Sequence, residues 1–306
     1  MKKFLSFTVL CFVSILLVAC SGTKQETNQT SLSSMPSIDG VAYYGNIPQA
    51  PKRVVSLNFA NTGYLLKLGF SIVGATSYDL ANPAFSSYLE ETQAVTSEDL
   101  EAIAALEPDL IVTGSTDTNI EQLSEIAPTI AIEYGKHSYK DTLAVFGQIF
   151  NQEELATEWT SQWDKAIETA GKDMKALTGD AASFTIMGYL GADLYVFGQN
   201  WGRGGEIIYQ ELGYAAPQSV QDDVFEAGYL AVSTEVLSQY AGDYIIMANE
   251  DSSAASSLYE TDVWQNLAAV QDGHLIQLDA KSFIFNDPIS LEYQLGILHD
   301  AILALQ

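Results

Sequence analysis

The stretch EELATEWTSQWDKAIETAGKDMKAL, residues 153–177, decides the architecture. Leu155, Trp159, Trp163, Ile167, Ala170, Met174 and Leu177 recur in it at steps of four or three, drawing one apolar stripe along a single helix. At ~1.5 Å per residue such a helix spans roughly 37 Å, enough to cross from one lobe to another. The periodicity alone also fits a long helix within one lobe. Before it, the short β-rich runs 53–57, 72–75, 109–113 and 129–132 alternate with helix-like segments, the pattern of βα units. After it, a second series runs 183–189, 194–197, 243–247 and 274–278, again with helical segments between, and 290–305 reads as an amphipathic helix. The expectation is an α/β fold with a first lobe at 38–152, a linking helix at 153–177 and a second lobe at 178–306.

An internal echo supports two related lobes. Residues 99–112, DLEAIAALEPDLIV, align without gaps to residues 233–246, STEVLSQYAGDYII. Each copy has an Asp or Ser cap, a Glu two residues later, a short helix broken by Pro or Gly, and an Asp leading an apolar strand. By itself an acid in a first helical turn, here Glu101 or Glu235, needs no more explanation than its favourable interaction with the helix dipole, a few tenths of a kcal/mol to ~1 kcal/mol.

Of 306 residues 47% are hydrophobic and 17% charged, which excludes disorder throughout. Thirteen Lys plus Arg against 39 Asp plus Glu give a net charge of −26, and such a chain repels phosphate backbones, so nucleic acid is excluded as a partner. The only cysteines are Cys11 and Cys20, so no disulfide, Cys zinc site or Cys nucleophile forms downstream of them. Lys2 and Lys3 followed by the largely apolar run 4–19 read as an export signal. Its end, Leu17-Val18-Ala19-Cys20, resembles the lipobox of bacterial lipoproteins, in which cleavage precedes a cysteine that then carries a diacylglycerol. That resemblance implies a signal peptide at 1–19, lipidation of Cys20 and a protein anchored to the outer face of the cell membrane; an uncleaved helical anchor is the alternative. Processing there leaves 287 residues at −28, and the Ser-, Thr- and Gln-rich segment 20–37 reads as a flexible tether.

Catalytic constellations are thin. There is no Gly-x-Ser-x-Gly elbow, Walker loop or His-Glu-x-x-His, and His137, His274 and His299 are scattered. Neither a transition-metal site nor a phosphate loop is supported. Aromatic residues crowd the second lobe instead: Tyr189, Tyr195, Phe197 and Trp201, the last running into Gly202-Arg203-Gly204-Gly205-Glu206. Glycines there would let a ligand approach the backbone, beside an apolar Trp wall and an Arg fork of hydrogen-bond donors. Equally, Trp201 reads as core and Arg203 as the partner of a local acid. Arg53 and Arg203 are the only arginines in the chain.

The folded body resembles the iron-siderophore class of substrate-binding lipoproteins that serve ABC importers, and within it the ferric-hydroxamate binders of Gram-positive bacteria. In the first lobe the likeness is carried by Pro51-Lys52-Arg53-Val54-Val55-Ser56-Leu57, by Leu100-Glu101-Ala102-Ile103 with Glu107-Pro108-Asp109-Leu110-Ile111, and by Glu133-Tyr134-Gly135-Lys136. In the second it is carried by Asn200-Trp201-Gly202-Arg203-Gly204-Gly205-Glu206, the most specific of the set, and by 285–292, FNDPISLE.

The resemblance implies two Rossmann-like lobes joined by one long helix, the class III periplasmic-binding-protein-like fold, with a shallow cleft between the lobes and little closure on binding. It implies that Arg203 donates to the hydroxamate oxygens around iron, that Trp201 and Tyr195 wall the cleft from the second lobe, and that Tyr134 faces them. Phe283 falls where relatives often carry Trp or Tyr. Glu101 and Glu235 match the paired glutamates by which the class docks on its ABC permease. The implied function is delivery of a ferric hydroxamate siderophore to an ABC importer by a monomeric receptor that is no enzyme, holds no cofactor and ligates no metal, iron arriving only inside its chelate. A −28 chain with one candidate cleft arginine suits neutral or cationic tris-hydroxamates better than a triply negative catecholate. The rival readings are a receptor of the same build for haem, a corrinoid or a catecholate siderophore, and, from other classes, a surface-anchored α/β hydrolase or an adhesin.

Overall fold

The β-branched run Val54-Val55, buried on both faces, seeds the first sheet. The computed structural model describes residues 35–249 and 255–305; the export segment, Cys20 and the tether up to residue 34 lie outside the described residues. Strands β1 (Val41–Tyr44), β2 (Val54–Ser56), β3 (Ile72–Ala75), β4 (Gln93–Ala94), β5 (Leu110–Gly114) and β6 (Thr129–Ile132) form one sheet in the order β1-β6-β5-β2-β3-β4. All neighbours are parallel except β1, which pairs antiparallel with β6 at the edge. Fully buried central strands are what a parallel sheet covered on both faces requires. Helices α1 (Phe59–Lys67), α2 (Ser77–Ala81), α3 (Leu100–Ala105), α4 (Ile120–Ile126) and α5 (Tyr139–Phe150) make the connections. The winding reverses at β2, and in open α/β sheets the crevice beyond the strand ends at such a reversal is where ligands sit. Asn58, just past β2, caps α1 at that place by accepting from the Ala60 N–H (3.0 Å).

The second sheet runs β11-β10-β7-β8-β9, built from β7 (Phe184–Leu190), β8 (Asp193–Phe197), β9 (Tyr229–Ala231), β10 (Tyr244–Asn249) and β11 (Leu275–Asp279). Strands β7, β10 and β11 are parallel, whereas β8 is antiparallel to both β7 and β9. No helical segment separates β7 from β8, contrary to the sequence expectation: Gly191-Ala192 closes a hairpin, with Gly191 at φ +63°. The short edge strands β1, β4 and β9 were not expected either.

The echoed sequences occupy matching places. Asp109, leading β5, accepts from the backbone N–H groups of Lys52 (2.7 Å) and Arg53 (2.9 Å); Asp243, leading β10, accepts from the Ser183 N–H and hydroxyl, both at 2.8 Å. In each lobe one carboxylate thus fixes where the neighbouring strand, β2 or β7, begins.

Between the sheets runs α6 (Glu153–Thr178), 26 residues long. Glu153 and Glu154 complement its N-terminal dipole, and Gly179 at φ +84° ends it. Its buried stripe is Ala156, Trp159, Trp163, Ile167, Ala170, Gly171 and Met174; Trp159 and Trp163 stack with centroids 5.7 Å apart. The last helix, Pro288–Leu303, opens with an Asp287 cap and Pro288 in its first turn, and packs mainly on α6 and on α1 of the first lobe. One continuous apolar core therefore passes from the first sheet through α6 into the second. A smaller cluster around Val55, Ile103, Ile111 and Leu123 fills the other face of the first sheet beneath α3 and α4.

Candidate ligand-binding cleft

The loop Glu133 to Ser138 leaves the end of β6 and forms one wall of a cavity of about 570 Å³; Gln199 to Trp201 form the opposite wall. Asn58, Asn61, Tyr64, Glu206 and Asn286 close it from below. That volume falls within the usual range for small-molecule sites.

Tyr134 and Trp201 face one another across this cavity, their rings in an edge-to-face contact with centroids 6.3 Å apart. They are 51% and 37% exposed, large apolar surfaces left uncovered at a cleft mouth. Trp201 is fixed from behind by Tyr229 (4.6 Å), which in turn meets Tyr195 (5.8 Å). Burial pushes the Tyr134 hydroxyl above its usual pKa, with Glu206 adding to the shift and Arg203 opposing it.

Arg203 adopts φ +56°, between Gly202 and Gly204, also at positive φ. A methyl group on Gly202 would come within 2.8 Å of the Phe283 carbonyl oxygen, so this glycine lets the loop lie against its own protein backbone, not against a ligand. The Arg203 N–H donates to that same carbonyl. Its guanidinium carbon lies 4.1 Å from the centre of the Phe197 ring, and the side chain is 8% exposed. Arg203 and Tyr195 thus stand one layer behind the Trp201 wall, not on the cavity surface. Phe283 is a correction: fully buried beneath Gly204, it offers a ligand no surface, because the Gln294 amide holds the carbonyls on either side of it, Ser282 (2.7 Å) and Phe285 (2.8 Å), against the last helix.

The floor was not foreseen as site. Glu206 is 1% exposed and opens a π-helical turn, Glu206–Glu211. Its Oε1 accepts from the Gly202 N–H and the Asn286 amide, both at 3.2 Å, while Oε2 has no hydrogen-bond partner among the described residues. Desolvation raises its pKa. Tyr64 donates to the Asn286 carbonyl (3.3 Å), tying α1 to the segment before the last helix. Glu206 and Asn286 lay inside quoted motifs; nothing in the pattern around Tyr64 separated it from core. At the mouth, Lys136 and His137 line the cavity while Lys136 pairs with Asp39 at 2.9 Å and His137 contacts the Asp39 carbonyl at 2.7 Å, so contacts with Asp39 hold both side chains. Among the described residues no group of three His, Cys, Asp or Glu side chains is placed to hold a metal ion. Glu101 and Glu235 are exposed, one on each lobe, outside the cleft.

The model of the periplasmic binding protein family matches residues 54–282, three quarters of the chain. The chain belongs to that family. As a periplasmic binding protein it is 32% identical over 304 residues to the iron(3+)-hydroxamate-binding protein FhuD of Bacillus subtilis, covering 97% of this chain and 96% of the relative. Among solved structures it is similar to the FhuD protein from S. pseudintermedius, with 35% identity, a TM-score of 0.78, and coverage of 85% of this chain and 95% of that one. It is also similar to FhuD2 from Staphylococcus aureus with bound ferrioxamine B, at 30% identity and a TM-score of 0.78, covering 83% and 99%. The two-lobed α/β fold expected from the sequence is the fold of these binding proteins.

Proposed function

We propose that this protein is an extracytoplasmic receptor that binds ferric hydroxamate siderophores and hands them to an ABC importer. The observation that carries the reading is the cavity between the lobes, walled by Tyr134 and Trp201, in a chain that matches a relative named as an iron(3+)-hydroxamate-binding protein over 96% of that relative's length. A hexadentate chelate already fills the coordination sphere of Fe(III), so the receptor has only to offer apolar walls for the organic shell and a few polar groups near the metal centre. Tyr134 and Trp201 supply the walls. Arg203 acts from behind Trp201, its charge favouring the electron-rich oxygens around iron, and Tyr195 with Tyr229 holds the indole upright. Iron enters and leaves only as its chelate.

Glu101 and Glu235 serve as the docking pair for the permease, one carboxylate per lobe. The Ser233 hydroxyl, hydrogen-bonded to Glu235, keeps that carboxyl below its usual pKa and therefore ionised. Cys20 carries the lipid that keeps the monomeric receptor at the membrane.

Titration of intrinsic tryptophan fluorescence with ferrioxamine B, a ferric catecholate and haem tests the reading. Saturable quenching by ferrioxamine B, with little response to the others, is expected. Haem binding with a Soret band, or no response to any hydroxamate, would replace it.

A further inference from the structure

At the base of the cleft five polar side chains from three parts of the protein meet. Tyr139 and Lys140 begin α5, directly after the loop that carries Tyr134. The Tyr139 hydroxyl accepts from the Trp163 indole N–H on α6 (2.8 Å) and donates to Glu211 of the second lobe. Lys140 donates to Asp164 on α6 (2.9 Å) and to the second carboxylate oxygen of Glu211 (3.0 Å). Glu211 is thus gripped at both oxygens by the first lobe. The Glu211 side chain is only 13% exposed, where charge-assisted bonds are screened least by water. Burial and donation to Glu211 both drive the Tyr139 pKa upward, keeping the hydroxyl a donor.

Glu211 also ends the π-helical turn that Glu206 begins. Such turns are uncommon and tend to occur at functional sites. One short segment therefore joins the cleft floor to the knot, and Tyr139 itself lines the cleft.

We infer that Glu211 is a positioning residue for ligand capture: by holding Tyr139 and Lys140 it fixes the angle between the lobes before a ligand arrives, and with it the spacing of Tyr134 from Trp201. Its ligand-binding consequence rests on the function proposed above. A receptor whose binding-competent angle falls to about a tenth of the population loses about tenfold in apparent affinity. The Lys67–Glu292 ion pair (2.8 Å), which also receives the Trp159 indole N–H (2.7 Å), supplies a control, since it joins α1, α6 and the last helix away from the cleft.

The test places spin labels on Glu121→Cys and Asp222→Cys, exposed positions on opposite lobes, with Cys11→Ser and Cys20→Ser. Without ligand, the parent should give one narrow distance distribution. Glu211→Ala should broaden it and lower ferrioxamine B affinity about tenfold, with Glu211→Gln and Tyr139→Phe giving smaller shifts of the same kind should the alanine variant fold poorly. Glu292→Gln should lower the melting temperature while leaving distance and affinity unchanged. Parent-like width and affinity in all three clamp variants, or equal broadening in Glu292→Gln, overturns the inference. Should the parent bind no hydroxamate, the proposed function falls, and the distance distributions alone support the clamp by broadening or overturn it by staying narrow.

Discussion

The guanidinium of Arg203 stacks on the Phe197 ring, 4.1 Å from its centre, although Arg203 holds a backbone conformation that non-glycine residues seldom adopt. That conformation costs an L-residue about 1 kcal/mol. The N–H bond to the Phe283 carbonyl and the ring contact offset it. Arg203→Ala should lower ferric-hydroxamate affinity about tenfold through loss of the positive charge that stands behind the Trp201 wall. Arg203→Gly should lose the same affinity yet melt higher than Arg203→Ala, by about 1 kcal/mol in unfolding free energy, because only the glycine relieves the backbone. Calorimetric titration and chemical denaturation separate the two effects. Alanine and glycine variants of equal stability would show that the loop is not strained.

Trp201 is packed from behind by Tyr229 and Gly228, meets Tyr134 edge to face across the cavity and remains 37% exposed. Trp201→Ala should therefore cost little stability and about ten- to a hundredfold in affinity, as removal of an aromatic anchor does. Titration calorimetry measures it without the lost fluorophore. Retention of parental affinity would move the ligand away from this wall.

Asp79 and Asp287 are buried, each with one carboxylate oxygen lacking a hydrogen-bond partner among the described residues, and desolvation pushes both carboxyls up to about 6. An unburied aspartate titrates at 3.8, so the folded chain holds these protons more tightly than the unfolded chain. Their stabilising contribution is complete below that value and is lost as pH rises through about 6, by at most about 3 kcal/mol per group. Melting temperature should fall between about pH 4 and pH 6.5 and level off above. Asp287→Asn keeps a good helix cap and should flatten this dependence; a slope equal to the parent's would rule out Asp287 as a source.

Glu101→Ala combined with Glu235→Ala should leave ferrioxamine B affinity unchanged and abolish uptake into cells. Normal uptake by the double variant would remove the docking assignment.

The fold was legible because its signals are local. The Trp159–Trp163–Ile167 stripe announced α6, and apolar runs placed eight of the strands. Strands β1, β4 and β9 were missed because two to four half-exposed residues paired at a sheet edge carry no period of their own. At the site, the exposed aromatic pair Tyr134 and Trp201 was readable from motif resemblance. Phe283 was misplaced because resemblance transfers position and not orientation. Tyr64, Tyr139 and Glu211 were invisible since their bonds cross 222, 24 and 72 positions of sequence, distances over which no periodicity speaks.

The return of the last helix, Pro288–Leu303, onto α1 and α6 ties folding order to synthesis. Leu291, Leu295, Leu298 and Ile302 fill a surface that stays bare until residues near 300 have left the ribosome. Any piece of the chain that stops short of residue 288 therefore leaves the faces of α1 and α6 beneath that helix open to water.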